Sequence, residues 1–133
     1  MTHADVYDRS FTAGDHAAGL DECADALNYA TRWIRNPGEV DRVAANLSST
    51  VAKFPLAFGS IKDWLQAESA AGRLVDVSDP ETTLDAVSAA GSALDEAILA
   101  AWELHSRLEQ LHALVAGLAV VGPTLPPMVP AQA

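Results

Sequence analysis

Apolar residues recur every three or four positions in three long stretches of the chain, which is the spacing of one face of an α-helix. The first stretch predicts a helix from Asp15 to Arg35, with Asp15 as the N-cap and Asn-Pro-Gly at 36–38 as the stop. Its stripe is built from small and aliphatic side chains: Ala17, Leu20, Ala24 or Cys23, Leu27, Thr31 or Ala30, and Ile34.

The second stretch starts near Glu39 and keeps its period past a proline. Pro55 lacks an amide hydrogen and its ring clashes with the carbonyl of residue 51, which costs about 3 kcal/mol inside a straight helix. The pattern therefore predicts a kinked or broken middle helix that ends at Gly72, in the position after a helix that glycine favours. The stripe of this helix is Val40, Val43, Leu47, Val51 and Phe54, followed in phase by Phe58, Ile61, Leu65 and Glu68.

The third stretch is the longest, and it follows an extended connection at 73–77. Ser78 and Glu81 have the spacing of a capping box, and Pro80 suits the first helical turn. Nothing stops the helix before Gly122, so the pattern predicts a C-terminal helix over about 78–120, about 60 Å long. Its apolar positions alternate three and four residues apart, as in a coiled coil: Leu84, Val87, Gly91, Leu94, Ile98 and Ala101.

Beyond Ala101 the large apolar residues predict a shift of this stripe. Two successive steps of three residues, from 98 to 104, mark a local change of phase. The shift would move His105 and His112 from the centre of the apolar seam to its border. A seam of this length exceeds what the shorter helices can cover, so we expect part of it to face another molecule. The residues that define the shift are Leu104, Leu108, Leu111, Val115 and Leu118.

Composition agrees with helices throughout. Half of the residues are hydrophobic, only 6% are aromatic, and alanine, the best helix former, is abundant. We predict an all-α fold, a three- to four-helix bundle with a long C-terminal helix. The predicted domain organisation is a flexible arm at 1–14, one helical domain at 15–121 and a Pro-rich disordered tail at 122–133.

Charge and cysteine content narrow the partners and the compartment. The net charge of −10 would repel nucleic acid, so direct binding to it is not expected. The sequence has no run of about 18 apolar residues, so it predicts no membrane span. The one cysteine, Cys23, cannot form an internal disulfide, which favours a cytoplasmic protein.

The segment that most resembles a chemical site is His-Ser-Arg-Leu-Glu-Gln-Leu-His at 105–112. Its two histidines stand about 10.5 Å apart along a helix, too far to bind one ion together. Glu109 and His112 form one Glu-x-x-His half-motif, whereas di-iron bundles need two such half-motifs and two further glutamates. We therefore interpret the segment as structural and predict no catalytic residue, no cofactor and no metal.

The hypothesis that fits these patterns is a non-enzymatic helical interaction or accessory protein that forms a homo-oligomer and binds a protein partner. One alternative is a bundle that binds a metal or a small ligand near His105, Glu109 and His112. Another is an acidic inhibitor of a nucleic-acid-binding protein, suggested by the acids of 76–109. Tryptophan is enriched in protein contacts, and the predicted interaction surface is Trp33, Trp64, Leu94, Ile98 and Trp102.

Overall fold

The computed structural model describes residues 10–122, and this part of the chain is all-α, as predicted. The two predicted termini, apart from residues 10–14 and 122, lie outside the described residues. The chain divides into two units, residues 37–119 and a unit whose described residues are 10–36 and 120–122. The α-helices are α1 (Ala13–Ala30), α2 (Pro37–Val51), α3 (Phe54–Ala70) and α4 (Thr83–Val115), with 3₁₀ turns at Thr31–Trp33 and Pro80–Thr82.

Helix α1 begins two residues before its predicted start. The Thr12 hydroxyl accepts a hydrogen bond from the Asp15 amide (3.1 Å), and the Asp15 carboxylate accepts one from the Thr12 amide (2.9 Å). The N-cap is therefore Thr12, and Asp15 is the third helical residue of a capping box. The bond from the Thr12 backbone amide holds the pKa of Asp15 below its usual 3.8.

The middle helix is broken, in agreement with the prediction from Pro55. Helix α2 ends at Val51 and α3 begins at Phe54, so that Pro55 lies in the first turn of α3. An amide in that turn has no helical acceptor, and proline loses nothing there. Helices α2 and α3 both pack along α4. We call α2 and α3 together the first arm and α4 the second arm of a helical hairpin.

The connection between the arms is extended, as predicted, but it starts α4 differently. Gly72 has φ +71°, which explains why glycine ends α3. The predicted capping box of Ser78 and Glu81 is wrong: the Asp79 side chain caps the 3₁₀ turn that precedes α4. The α4 helix then has 33 residues and ends at Val115, which makes it about 50 Å long.

Asp76 fastens the connection ahead of α4. Its carboxylate accepts hydrogen bonds from the Ser78 hydroxyl (2.7 Å), from the amides of Ser78 (3.0 Å) and Asp79 (3.3 Å), and from the Thr82 hydroxyl (3.3 Å). These bonds favour the ionised form, and the pKa of Asp76 is lowered from 3.8, chiefly by the Ser78 hydroxyl.

The two arms run antiparallel. Asp41 lies beside His112, Ser48 beside His105, and Lys62 beside Asp95. Residue numbers thus rise along the first arm while they fall along the second.

Candidate functional site

The seam between the arms keeps one spacing along the whole of α4. Its covered positions alternate four and three residues apart without interruption, because α4 is a continuous α-helix. The phase change predicted after Ala101 is therefore wrong, and both histidines of 105–112 lie on the centre line of the seam. The seam positions of the second arm are Val87, Gly91, Leu94, Ile98, Ala101, His105, Leu108, His112 and Val115.

The first arm meets this seam partly with residues that directly follow its predicted apolar stripe, whereas Val51, Phe58 and Leu65 of that stripe do lie in the seam. Ala44, Ser48 and Val51 are buried, whereas Val40, Val43 and Leu47 are only half-buried. The first arm therefore carries two adjacent stripes, of which the inner one is rich in polar and small residues. The seam positions of the first arm are Asp41, Ala44, Ser48, Val51, Pro55, Phe58, Lys62, Leu65 and Ser69.

Ser48 is the centre of a hydrogen-bonded cluster within the seam. It is 0% exposed, and its hydroxyl donates a very short hydrogen bond to the Glu109 carboxylate. The Nδ1 atom of His105 lies 2.9 Å from that hydroxyl and 3.0 Å from the Ser48 carbonyl oxygen. A carbonyl only accepts, and the hydroxyl proton already goes to Glu109, so the Nδ1 of His105 carries a proton.

This arrangement does not activate Ser48 as a nucleophile. In a catalytic serine–histidine pair the imidazole accepts the hydroxyl proton. Here His105 donates toward Ser48, the Ser48 hydroxyl donates its hydrogen bond to the Glu109 carboxylate, and no substrate reaches a side chain that is 0% exposed. The cluster satisfies polar groups inside the seam.

A second polar pair lies seven residues away on each arm. The Nδ1 atom of His112 is 2.6 Å from the Oδ1 atom of Asp41, an ion pair when the imidazole is protonated. Both atoms are buried and make no other polar contact in the part of the chain described. Each imidazole of the 105–112 segment is thus directed at a side chain of α2.

The third polar contact of the seam joins α3 to α4. The Lys62 ammonium bonds both carboxylate oxygens of Asp95, at 2.8 and 2.9 Å. Gly91 makes room for it: a Cβ added there would lie 3.5 Å from the Lys62 Cε atom. Gly91 therefore lets the Lys62 side chain lie close to α4 within the hairpin.

Metal-ligating side chains do not cluster in the described residues. Between residues 10 and 122, no three side chains of His, Cys, Asp or Glu lie close enough to hold one ion. Cys23 is free and exposed on α1.

The two sides of the seam differ in polarity. Gln66, Ser88 and Asp95 line one groove, and each of them directly follows a seam residue. Residues that follow the seam on both arms thus share one side of the hairpin, and residues that precede the central seam positions share the other. The first side, which we call the polar side, carries Glu109, Asp95 and Gln66. Leu56, Leu99 and Trp102 also follow seam residues and lie on this side.

The other side is a continuous apolar surface, which we call the apolar face. Large hydrophobic side chains stand exposed on it, among them Trp64 (57%), Leu111 (39%) and Leu114 (66%). Leu104 and Leu111, which suggested a phase change, belong to this face, whereas Leu108 and Val115 lie in the seam. The apolar face consists of Val40, Val43, Leu47, Thr50, Phe54, Ala57, Ile61 and Trp64 of the first arm and Ala86, Ala90, Ala93, Ala97, Ala100, Leu104, Arg107, Leu111 and Leu114 of the second.

The predicted interaction residues are distributed over four environments. Trp64 lies on the apolar face, whereas Leu94 and Ile98 lie half-buried in the seam and face the first arm. Trp102 is on the polar side, with its ring 5.8 Å from the His105 ring in an edge-on contact. Trp33 belongs to the first unit, where its ring is 6.3 Å from that of Tyr29.

Sequence reasoning did not single out Asp41 and Ser48. A usable signal was present, because these two residues are seven apart, as are His105 and His112. Two antiparallel helices with matching seven-residue spacings bring such pairs into register.

Comparison with known proteins returned no matching family model, no similar curated protein and no similar solved structure. None of the helices in residues 10–122 is long and apolar enough to cross a bilayer. The exposed apolar face is the feature of the described residues from which we infer a function.

Proposed function

We propose that this chain is a non-enzymatic interaction protein whose hairpin docks its apolar face against helices of another protein molecule. The observation that supports the proposal is the imbalance between buried and exposed apolar residues. Within residues 37–119 only Ala44, Val51 and Ala101 are buried hydrophobic residues, and large side chains of the apolar face remain exposed. Burial of one such side chain contributes about 1.5–3 kcal/mol. A partner that covers several of them would therefore add several such contributions to the free energy of binding.

The layout of charge favours the same surface. Arg107 is the one charged residue among the positions that define the apolar face. Patches of this kind mark interaction sites on soluble proteins, whereas scattered apolar residues do not. Leu56 and Leu99 are also exposed, at 78% and 70%, but they follow the seam residues Pro55 and Ile98 and lie on the polar side, opposite the apolar face.

These two leucines provide a matched control for the test. The face variant Leu104→Gln/Leu111→Gln removes two apolar side chains from the apolar face, and Leu56→Gln/Leu99→Gln removes two from elsewhere. Native mass spectrometry of the protein isolated gently from its own cells measures whether a second polypeptide accompanies it. We expect wild type and control to retain the companion and the face variant to lose it.

The proposal fails if wild type is isolated alone, or if the face variant keeps the companion as well as the control does. Circular dichroism of both variants verifies that the helices persist. The cytoplasm remains the expected compartment for this activity, since the exposed thiol of Cys23 is free.

A further inference from the structure

We infer that the apolar face is covered by a second copy of this chain, related to the first by a twofold axis that crosses α4 near Trp102. The inference rests on the proposed function, because it names the occupant of the same face. Its basis is the change in side-chain size along the face. In a copy of the helix that runs in the opposite direction, this change is reversed.

Along α4 the face changes from small to large side chains. Alanines occupy its positions from 86 to 100, and leucines with one arginine occupy those from 104 to 114. A stripe that is small at one end and large at the other is complementary to its own reversed copy. Twofold symmetry provides that reversal, since a symmetric interface presents the same patch from both molecules.

An axis at the level of residue 102 pairs eight of the nine positions of the second arm, and Ala86 has no partner within α4. Leucine then meets alanine in three of the four kinds of contact, and Arg107 meets Ala97, whose methyl group leaves room for a long side chain. The resulting pairs between copies are Ala90 with Leu114, Ala93 with Leu111, Ala97 with Arg107, and Ala100 with Leu104.

The same axis also pairs the first arm with its copy. Because Ser48 contacts His105 in the antiparallel hairpin, the level of residue 102 on α4 corresponds to about residue 51 on the first arm. Apolar residues then meet across an axis near residue 52, at the break between α2 and α3. These pairs are Val40 with Trp64, Val43 with Ile61, Leu47 with Ala57, and Thr50 with Phe54.

The area of the face agrees with this occupant. The face extends from residue 86 to residue 114 over about 42 Å and is two helices, or about 20 Å, wide. It therefore offers roughly 800 Å² per copy, which is the contribution of one partner to a standard stable interface. The net charge of −10 on each chain opposes contact between two copies, and the face limits this repulsion because none of the positions assigned to it is acidic.

The test exchanges one large residue with its small partner. Leu111→Ala opens a gap opposite Ala93 of the other copy, and Ala93→Leu overfills the same contact. We expect each single variant to raise the dimer dissociation constant more than about tenfold. The double variant Ala93→Leu/Leu111→Ala restores one large and one small residue per contact, and we expect its dissociation constant to return to within about threefold of wild type.

Sedimentation equilibrium measures these dissociation constants, with Leu99→Ala as the control for loss of an exposed leucine outside the face. Both exchanged residues are exposed in the single chain, and circular dichroism reports whether each variant remains helical. A double variant as weak as the sum of its singles, or a wild type that stays monomeric at high concentration, overturns the second-copy inference. A monomeric wild type that still carries another polypeptide in native mass spectrometry would leave the proposed function standing.

Discussion

At the scale of single residues, the hairpin is unusual in placing several polar side chains in the seam between its arms, while Leu104, Leu111 and Leu114 lie outside the seam on the apolar face. Ser48, with 0% exposure, satisfies both His105 and Glu109. A buried polar group that loses its partner costs about 1–3 kcal/mol, so this cluster has more effect on stability than its size suggests.

The first prediction concerns the Ser48 hydroxyl. Ser48→Ala removes the donor to Glu109 and one of the two oxygens near the His105 Nδ1 atom, which keeps the Ser48 carbonyl oxygen as its acceptor. We expect the free energy of unfolding to fall by about 1–2 kcal/mol. Urea unfolding followed by circular dichroism measures the change. Ser49→Ala is the matched control, because Ser49 is the exposed neighbour on the same helix. Equal stability of the two variants would show that the buried cluster contributes nothing.

The second prediction concerns acid stability. The pKa of Asp76 is lowered from 3.8 in the folded chain, so its carboxylate stabilises the fold at pH values above 3.8. That contribution is lost as the pH falls through the lower folded value. We expect Asp76→Asn to lower the melting temperature at about pH 7 and to differ little from wild type at about pH 2.

Thermal melts at the two pH values test this linkage. Glu96→Gln removes a carboxylate from the exposed surface of α4, and it serves as the comparison for a general effect of charge. A deficit of Asp76→Asn that is equally large at both pH values would contradict the assigned role of the carboxylate.

At the scale of helices, what could be predicted was the existence of each element and the positions of its breaks. Pro55, Gly72 and the Asn-Pro-Gly segment act through backbone geometry, which one residue determines locally. The start of α4 could not be predicted as well, because the side chains of Asp76 and Asp79 compete with Ser78 for the same backbone amides.

The side of each helix that faces its neighbour was harder to predict than the helix itself. Both arms carry two apolar or small stripes one residue apart, and periodicity assigns burial to the one with the larger side chains. On the first arm that choice gave Val40, Val43 and Leu47, whereas the seam uses Asp41, Ala44 and Ser48. Only the pairing of the arms decides between the stripes, because each polar seam residue needs a partner on the other helix.

The third prediction compares two glycines of the first arm and its end. Gly59 lies inside α3 with open space around the position of a Cβ atom, whereas Gly72 has φ +71°. We expect Gly59→Ala to raise the free energy of unfolding by up to about 1 kcal/mol and Gly72→Ala to lower it by about 1 kcal/mol. Chemical denaturation gives both values, and changes of the same sign would contradict the assigned conformations.

At the scale of the whole molecule, a hairpin of two arms leaves each arm with one neighbour inside its own unit. A third and a fourth helix are needed to cover the face that remains. The sequence predicted self-association from the length of the last helix. The exposed apolar face supports that expectation with a surface formed by both arms, and it moves the expected contact away from Leu94 and Ile98.

The fourth prediction follows from mass action. If the folded hairpin is stabilised by association, its melting temperature rises with protein concentration. We expect a clear increase over a hundredfold range of wild-type concentration and none for Leu104→Gln/Leu111→Gln. Differential scanning calorimetry provides the measurement, and concentration-independent melting of wild type would count against stabilisation by a partner copy.

The alternation of polar contacts along the seam also limits how the arms can move. A slide of one arm by one heptad, about 10.5 Å, would place Asp41 beside His105, Ser48 beside Ile98 and Lys62 beside Leu84. Ser48 and Lys62 would each face an aliphatic side chain, whereas Asp41 would meet another imidazole. The present hydrogen bonds of Ser48 and Lys62 therefore oppose a slide of the arms by one heptad.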